Sequence, residues 1–169
     1  MAAQPRLEIG DVITVPIDND RIGIGQVAAK YLNEGYYFVV FETDYPISAL
    51  PSPREAVTDE VALVALSLDA KIAAGHWKIV GNEPVRPDLP LPAYKETVGA
   101  PDRVDVVDFS GTRRRRATPA EISRLRNRKV IAPVRLERAL RALHGTGQWQ
   151  DAYDELRPAD HATTTALWG

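Results

Sequence analysis

The segment from Gly10 to Val27 constrains the fold most, because it has the pattern of two short strands joined by a tight turn. Strand-forming apolar residues run up to Ile17, and the next three residues, Asp-Asn-Asp, have side chains that bond their own backbone in turns. Gly23 and Gly25 lie two apart on the return strand and therefore share one face. Such bare positions let another backbone or a large ring approach closely. The segment predicts a small, strongly curved sheet.

Composition limits the classes of protein to consider. The chain has 169 residues, 44% of them apolar and 26% charged, which is typical of a globular domain with a real core. It contains no cysteine, and this excludes disulfides, thiolate metal sites and cysteine nucleophiles. No apolar run is long enough to cross a bilayer, and residues 1–6 lack the apolar stretch of a secretory signal. We therefore expect a cytoplasmic protein.

Further apolar runs extend the predicted sheet. Residues 36–41 are apolar on both faces and follow a turn at 33–35, so the first three strands should form an antiparallel meander. Residues 44–58 carry three prolines and predict a surface loop. Two more strands are predicted at 75–81 and 104–109. Residues 61–68 are an apolar run that fits a strand or a helix, and strand is the favoured interpretation.

Helical signals begin after residue 112. Thr118 and Glu121 form a capping box with a proline at the first helical position, and this helix should run to about Arg128. A second helix should start at Pro133, carry a leucine stripe and end at Gly145. Residues 149–156 predict a third, short helix.

These elements predict an α+β fold: a small, curved, mostly antiparallel β-sheet or SH3-like partial barrel, followed by two or three C-terminal helices. The expected organisation is a β-rich domain at 1–112, a basic helical segment at 113–157 packed on it, and a flexible tail at 158–169.

Charge is unevenly distributed along the chain. Residues 113–143 hold eleven Arg and Lys against two Glu, whereas residues 1–112 hold seventeen acidic and nine basic groups. The basic patch could track a phosphate backbone, or it could pair with the acidic part of the same protein. Nucleic-acid binding is therefore the alternative function. The candidate patch residues are Arg113, Arg114, Arg115, Arg116, Arg124 and Arg128.

Signals for catalysis or cofactors are weak. Residues 23–28 fit a G-x-G-x-x-A motif, but a turn precedes it and no βαβ units follow, so a dinucleotide site is not the favoured interpretation. His76, His144 and His161 have no metal-type spacing, and Trp77 beside the first is a core candidate. We predict no catalytic residue, no cofactor and no metal, and hence a protein that is not an enzyme.

Three blocks in one order carry a family resemblance. They are residues 10–17 with 21–27, residues 75–81 with Pro84, and residues 116–118 with Glu121. Together they resemble immunity protein family 26 of bacterial polymorphic toxin systems, over about residues 8 to 145. The return strand departs from the family pattern, because Ile22 and Ile24 stand where aromatic residues are common. The resemblance implies a cytoplasmic, mostly β, non-catalytic protein that neutralises a cognate toxin domain by binding it.

The resemblance brings no binding residues with it, so the contact surface is predicted from charge. The excess of carboxylates in residues 1–112 favours a basic partner, such as a nuclease, attracted electrostatically. The candidate partner-binding residues are Glu42, Asp44, Glu55, Asp59 and Glu60.

Overall fold

The computed structural model describes residues 6–89 and 91–168. Nine strands and five α-helices are present in these residues, with two short 3-10 helices at Asp151–Leu156 and Pro158–Asp160. The strands are β1 (Asp11–Pro16), β2 (Arg21–Tyr31), β3 (Gly35–Pro46), β4 (Val61–Ser67), β5 (Lys78–Asn82), β6 (Tyr94–Thr97), β7 (Val104–Val107), β8 (Arg114–Arg116) and β9 (Val130–Ile131). The helices are α1 (Pro53–Ala56), α2 (Ala70–Ala73), α3 (Pro119–Arg124), α4 (Pro133–Leu143) and α5 (Thr164–Trp168).

The protein is α+β, with one six-stranded and one three-stranded sheet. The larger sheet has the order β5-β1-β2-β3-β4-β9 and is open, with β5 and β9 at its ends. Its pairings are antiparallel except for β4 with β9. The β1-β2-β3-β4 meander confirms the predicted order of the first strands. Bulges within the β2–β3 pairing add local twist to these two long strands.

The chain divides into two compact units. The first unit comprises Met1–Arg86 and Val130–Pro158, and so holds the six-stranded sheet and α4. The second unit comprises Pro87–Lys129 and Ala159–Gly169, and holds the sheet β6-β7-β8 with α3 and α5. Residues 113–129 thus belong to the second unit, and residues 130–157 to the first.

The core of the first unit lies against one face of the meander. It gathers Ile13 and Val15 of β1 with Phe38 of β3, and α4 contributes Leu136 and Leu140, which are fully buried. Burying a leucine side chain stabilises the fold by roughly 1.5–3 kcal/mol. The leucine stripe predicted for this helix is therefore confirmed, because Leu136 and Leu140 pack into the core on one face of α4.

Trp77 lies in the same core, as predicted. Its ring packs edge-on against Phe38 with centroids 5.7 Å apart, and its indole Nε1–H donates to Glu137 Oε2 at 2.8 Å. The neighbouring His76 is exposed. The tryptophan therefore has a structural role in the first unit.

The glycines of β2 allow close packing on the core face. A Cβ at Gly23 would lie 2.7 Å from Leu140 Cδ2, and a Cβ at Gly25 would lie 2.9 Å from the Val39 carbonyl oxygen. The expected close approach of a neighbouring backbone is confirmed at Gly25. At Gly23 the neighbour is an aliphatic side chain of α4, not a ring.

Several element boundaries differ from the sequence expectation; the loop predicted at 44–58, for example, contains the end of β3 and all of α1. Helix α3 ends at Arg124, not near Arg128, because the chain turns extended and pairs with β6: Lys95 N donates to Arg126 O at 2.9 Å. The strand predicted at 75–81 begins only at Lys78, since Gly75 has a positive φ of 78° and closes the α2 turn. No helix in the described part of the chain is long and apolar enough to cross a membrane.

Candidate partner-binding surfaces

The acidic candidates of the first unit come from three neighbouring segments. Glu42 and Asp44 lie near the end of β3, Glu55 lies in α1, and Asp59 and Glu60 precede β4. Backbone bonds hold two of these segments together, because Glu42 N donates to Glu60 O at 2.9 Å and Thr43 N donates to Asp59 Oδ2 at 2.8 Å. The structure thus brings Glu42, Asp59 and Glu60 to one end of the sheet.

Asp59 accepts hydrogen bonds from Thr43 N and Glu60 N and is only partly exposed. Burial acts to raise the pKa of Asp59, but hydrogen bonds from Thr43 and from Glu60 N–H outweigh it and hold that pKa below its usual range. Burial, and the charges of Asp59 and Glu55, raise the pKa of Tyr45. Arg86 donates to Asp59 O at 2.7 Å and contributes positive charge here.

Asp44 belongs to a different network, at the β1–β2 turn. Its Oδ2 accepts from Arg21 Nη1 at 2.9 Å, and Arg21 also pairs with Asp18 at 2.8 Å. His144 Nδ1 of the loop after α4 lies 3.8 Å from Asp44 Oδ1. Hydrogen bonds from Asp20 N–H and Arg21 lower the pKa of Asp18. Asp44 is therefore partly neutralised within the first unit.

Three of the five acidic candidates remain open to solvent. Glu42, Glu55 and Glu60 are exposed, and none of them has a side-chain ion pair within residues 6–89 and 91–168. Sequence reasoning missed Asp20, which is exposed on the β1–β2 turn and whose carbonyl accepts from Ile47 N at 2.8 Å. The turn motif did predict where Asp20 lies, but only the pairing of β2 with β3 places it beside the acidic candidates.

The arginines of the basic patch lie in the second unit, and several are bonded to it. Arg115 donates two hydrogen bonds to Glu121, from Nη1 to Oε1 at 2.9 Å and from Nη2 to Oε2 at 2.8 Å. Arg114 pairs with Glu96 and Asp105. Arg128 donates to the carbonyl oxygens of residues 108 and 109 and lies 4.6 Å from the ring centroid of Tyr94.

Three of the six candidate patch residues are left for an external ligand. Arg113, Arg116 and Arg124 are exposed, and among the described residues no side-chain partner is seen for them. The carboxylates that Arg114 and Arg115 engage, Glu96, Asp105 and Glu121, all belong to the second unit itself. The acidic charge that balances these arginines is thus local.

The described residues hold no cluster of three His, Asp or Glu side chains that could bind a metal ion. Gly23 and Gly25 lie inside the eleven-residue strand β2, so the motif does not open a helix that could bind a pyrophosphate. That strand overturns the dinucleotide interpretation.

An open groove of about 790 Å³ lies in the second unit. Leu89, Leu91 and Phe109 form apolar parts of its lining, and threonines 163–165 and Ser110 contribute hydroxyls. Burial acts to raise the pKa of Asp108 at its edge, but hydrogen bonds from Ser110 and from backbone N–H groups outweigh it and lower that pKa. This carboxylate is held ionised by its own loop.

Comparison with known proteins places the chain in a family. The chain belongs to the Immunity protein 26 family, which matches residues 8–103. The first two blocks of the sequence resemblance lie inside that range, and the block at residues 116–121 lies beyond it. All five acidic candidates fall within the matched residues. No curated protein and no solved structure matches the chain.

Proposed function

We propose that this protein is an immunity protein that binds a cognate bacterial toxin domain directly and thereby neutralises it in the cytoplasm. The observation that carries the proposal is the family match, which spans residues 8–103. It includes β1 to β6 and the five acidic candidates, here called the acidic surface (Glu42, Asp44, Glu55, Asp59 and Glu60). Neutralisation by binding needs a rigid scaffold and a complementary surface. The meander supplies the scaffold.

The partner we propose is a basic toxin domain, such as a nuclease of a polymorphic toxin system. Glu42, Glu55 and Glu60 present unpaired carboxylates on the first unit, and negative potential there speeds encounter with a cationic protein. On the second unit, Arg114 and Arg115 are already engaged by carboxylates. This supports a protein partner over a nucleic acid.

Co-expression tests the function. The product of the adjacent gene, as the candidate toxin, is induced in a heterologous bacterium, with and without this protein, and growth is followed. We expect growth arrest without it, rescue with it, and a one-to-one or two-to-two complex in size-exclusion chromatography with light scattering. A toxin that arrests growth equally in both strains, with no complex by calorimetry, would remove the proposal.

Charge reversal tests the acidic surface. The Glu42→Lys/Glu60→Lys variant should lower the association rate about tenfold at low salt, with a smaller effect at high salt. Glu34→Lys is the matched control, because Glu34 is an exposed carboxylate of the β2–β3 turn, away from this end of the sheet. Equal association rates for all three proteins would place the contact elsewhere on the molecule.

A further inference from the structure

We propose that Ile47 and Leu50 form the apolar centre of the toxin contact, surrounded by carboxylates that select a cationic partner surface. The inference rests on the proposed function and deepens it. Both side chains lie on the loop between β3 and α1, here called the apolar loop (residues 47–52). Ile47 is 49% exposed and Leu50 is 44% exposed.

This pair differs from the other exposed apolar side chains of the described residues. Those others lie in or next to strands, where exposed apolar residues are ordinary; Leu68 and Val130 lie close together there, because Val130 pairs with Leu66. Ile47 and Leu50 instead share one short loop. The other exposed large apolar residues are Ile9, Leu32, Leu68, Val80 and Val130.

Backbone bonds hold the apolar loop in place. Ile47 N donates to Asp20 O at 2.8 Å, and Ala49 N donates to Pro46 O at 3.0 Å. At the far end of the loop, Ser52 caps α1 by accepting from Glu55 N at 3.3 Å. An apolar side chain presented on an ordered backbone loses less entropy on binding than one on a mobile segment. The loop therefore has the preorganisation of a contact surface.

Carboxylates lie near both ends of the apolar loop. The β1–β2 turn brings Asp18 and Asp20 near its start through the Ile47–Asp20 bond. At its other end Ser52 caps the helix that carries Glu55, and Asp59 Oδ2 accepts from Thr43 N of β3 at 2.8 Å. Together with Glu42, Asp44 and Glu60, these make seven acidic groups, against the guanidinium groups of Arg21, Arg54 and Arg86.

The charge around the apolar loop favours one class of binding partner, a protein with a cationic surface. An excess of negative charge repels the phosphates of nucleic acids and of anionic lipids, whereas it attracts a protein face rich in Lys and Arg. Two aliphatic side chains at its centre fit an apolar recess within that cationic face, because interface centres are apolar and their rims polar. The occupant is a toxin domain with a cationic face and an apolar recess.

Binding kinetics with the candidate toxin, the product of the adjacent gene, test the inference. Ile47→Ser and Leu50→Ser should each raise the dissociation rate about tenfold with little change in the association rate. Asp20→Asn/Glu55→Gln should instead lower the association rate several-fold, most strongly at low salt. Leu68→Ser is the control for loss of an exposed aliphatic side chain, since Leu68 is 45% exposed on the first unit. Thermal unfolding of every variant should match the parent protein.

The outcomes separate this inference from the proposed function. If the toxin domain binds the parent protein and the apolar-loop variants equally well, the inference fails while the function stands. If the toxin does not bind the parent protein, the proposed function fails. A displayed random-peptide library then tests whether the apolar loop and its carboxylates bind a cationic, apolar ligand. Peptides selected on the parent protein and counter-selected on Ile47→Asp/Leu50→Asp should combine Lys or Arg with large apolar residues. Selected peptides that lack basic residues would overturn the inference.

Discussion

Glu137 shows how one buried carboxylate joins three segments of the first unit. Its Oε2 accepts from Trp77 Nε1 at 2.8 Å and lies 3.4 Å from Lys71 Nζ, while Oε1 accepts from Arg141 at 2.7 Å. Only 6% of its side chain is exposed. Removing one member of such a buried network leaves the others desolvated and without a partner.

We therefore expect Glu137→Ala to lower the free energy of unfolding by about 3 kcal/mol. Glu137→Gln should lower it less, because the amide oxygen can still accept from the Trp77 indole. Urea unfolding followed by tryptophan fluorescence measures both. Glu34→Ala, at an exposed position, should change little; a similar loss there would mean that the effect is not specific to the network.

The two glycines of β2 should differ in their tolerance of a methyl group. At Gly23 the obstructing atom is the end of the Leu140 side chain, whereas at Gly25 it is the Val39 backbone oxygen. A side chain can move, so Gly23→Ala should cost about 1 kcal/mol and Gly25→Ala about 2–3 kcal/mol.

A double-mutant cycle checks the cause at Gly23. If Leu140 is the obstruction, Leu140→Ala should cancel the penalty of Gly23→Ala, so the two changes will not add. If the two losses in the free energy of unfolding add, the cost of Gly23→Ala comes from its backbone conformation and not from a clash with Leu140.

At the scale of elements, helix α3 is held by a capping box that also carries charge. Thr118 Oγ1 accepts from Glu121 N at 3.2 Å, and Glu121 Oε1 accepts from Thr118 N at 3.0 Å. Hydrogen bonds from Arg115 and then from Thr118 N–H lower the pKa of Glu121 to about 2. The same carboxylate therefore caps the helix and fixes strand β8 to it.

This lowered pKa predicts a pH dependence. In the unfolded chain Glu121 takes up a proton near its ordinary pKa of 4.5, but in the fold only near 2. The stability it contributes is present above about pH 4.5 and is lost as the pH falls towards 2. Glu121→Gln should lower the free energy of unfolding by about 1 kcal/mol at pH 7, and this difference should vanish near pH 2.

Urea unfolding at several pH values, followed by backbone circular dichroism, measures the difference between the parent protein and Glu121→Gln. Asp102→Asn is the control, because Asp102 is an exposed carboxylate of the same unit. A difference that stays constant from pH 7 to pH 2 would show that Glu121 contributes through shape and not through charge.

At the scale of the whole molecule, the net charge of −2 and the local pairing of arginines predict weak binding to nucleic acid. We expect a labelled DNA duplex to show no specific anisotropy change at about 50 or 200 mM salt. Tight binding that falls steeply with salt, and that is lost in Arg113→Ala/Arg116→Ala/Arg124→Ala, would favour the nucleic-acid alternative.

Local patterns in the sequence determined much of the secondary structure, and they also allowed the family to be identified. The Asp-Asn-Asp turn, the apolar run at 36–41, the capping box at Thr118 and the leucine stripe after Pro133 each act over a few residues, and each is found where the pattern predicts it. They are readable because turn dihedrals, strand alternation and helix capping depend on near neighbours. The family resemblance, carried by such blocks, is confirmed over residues 8–103.

Only the tertiary structure decided which residues meet across long separations. The two-residue strand β9 has no periodicity to detect and exists because Val130 and Ile131 pair with β4. Helix α3 ends early because the next residues pair with β6. The partners of the arginines, and the nearness of Asp20 to Ile47, depend on contacts between distant segments. A single sequence records the chemistry of each side chain, but the long-range packing that chooses its neighbours is a property of the folded chain.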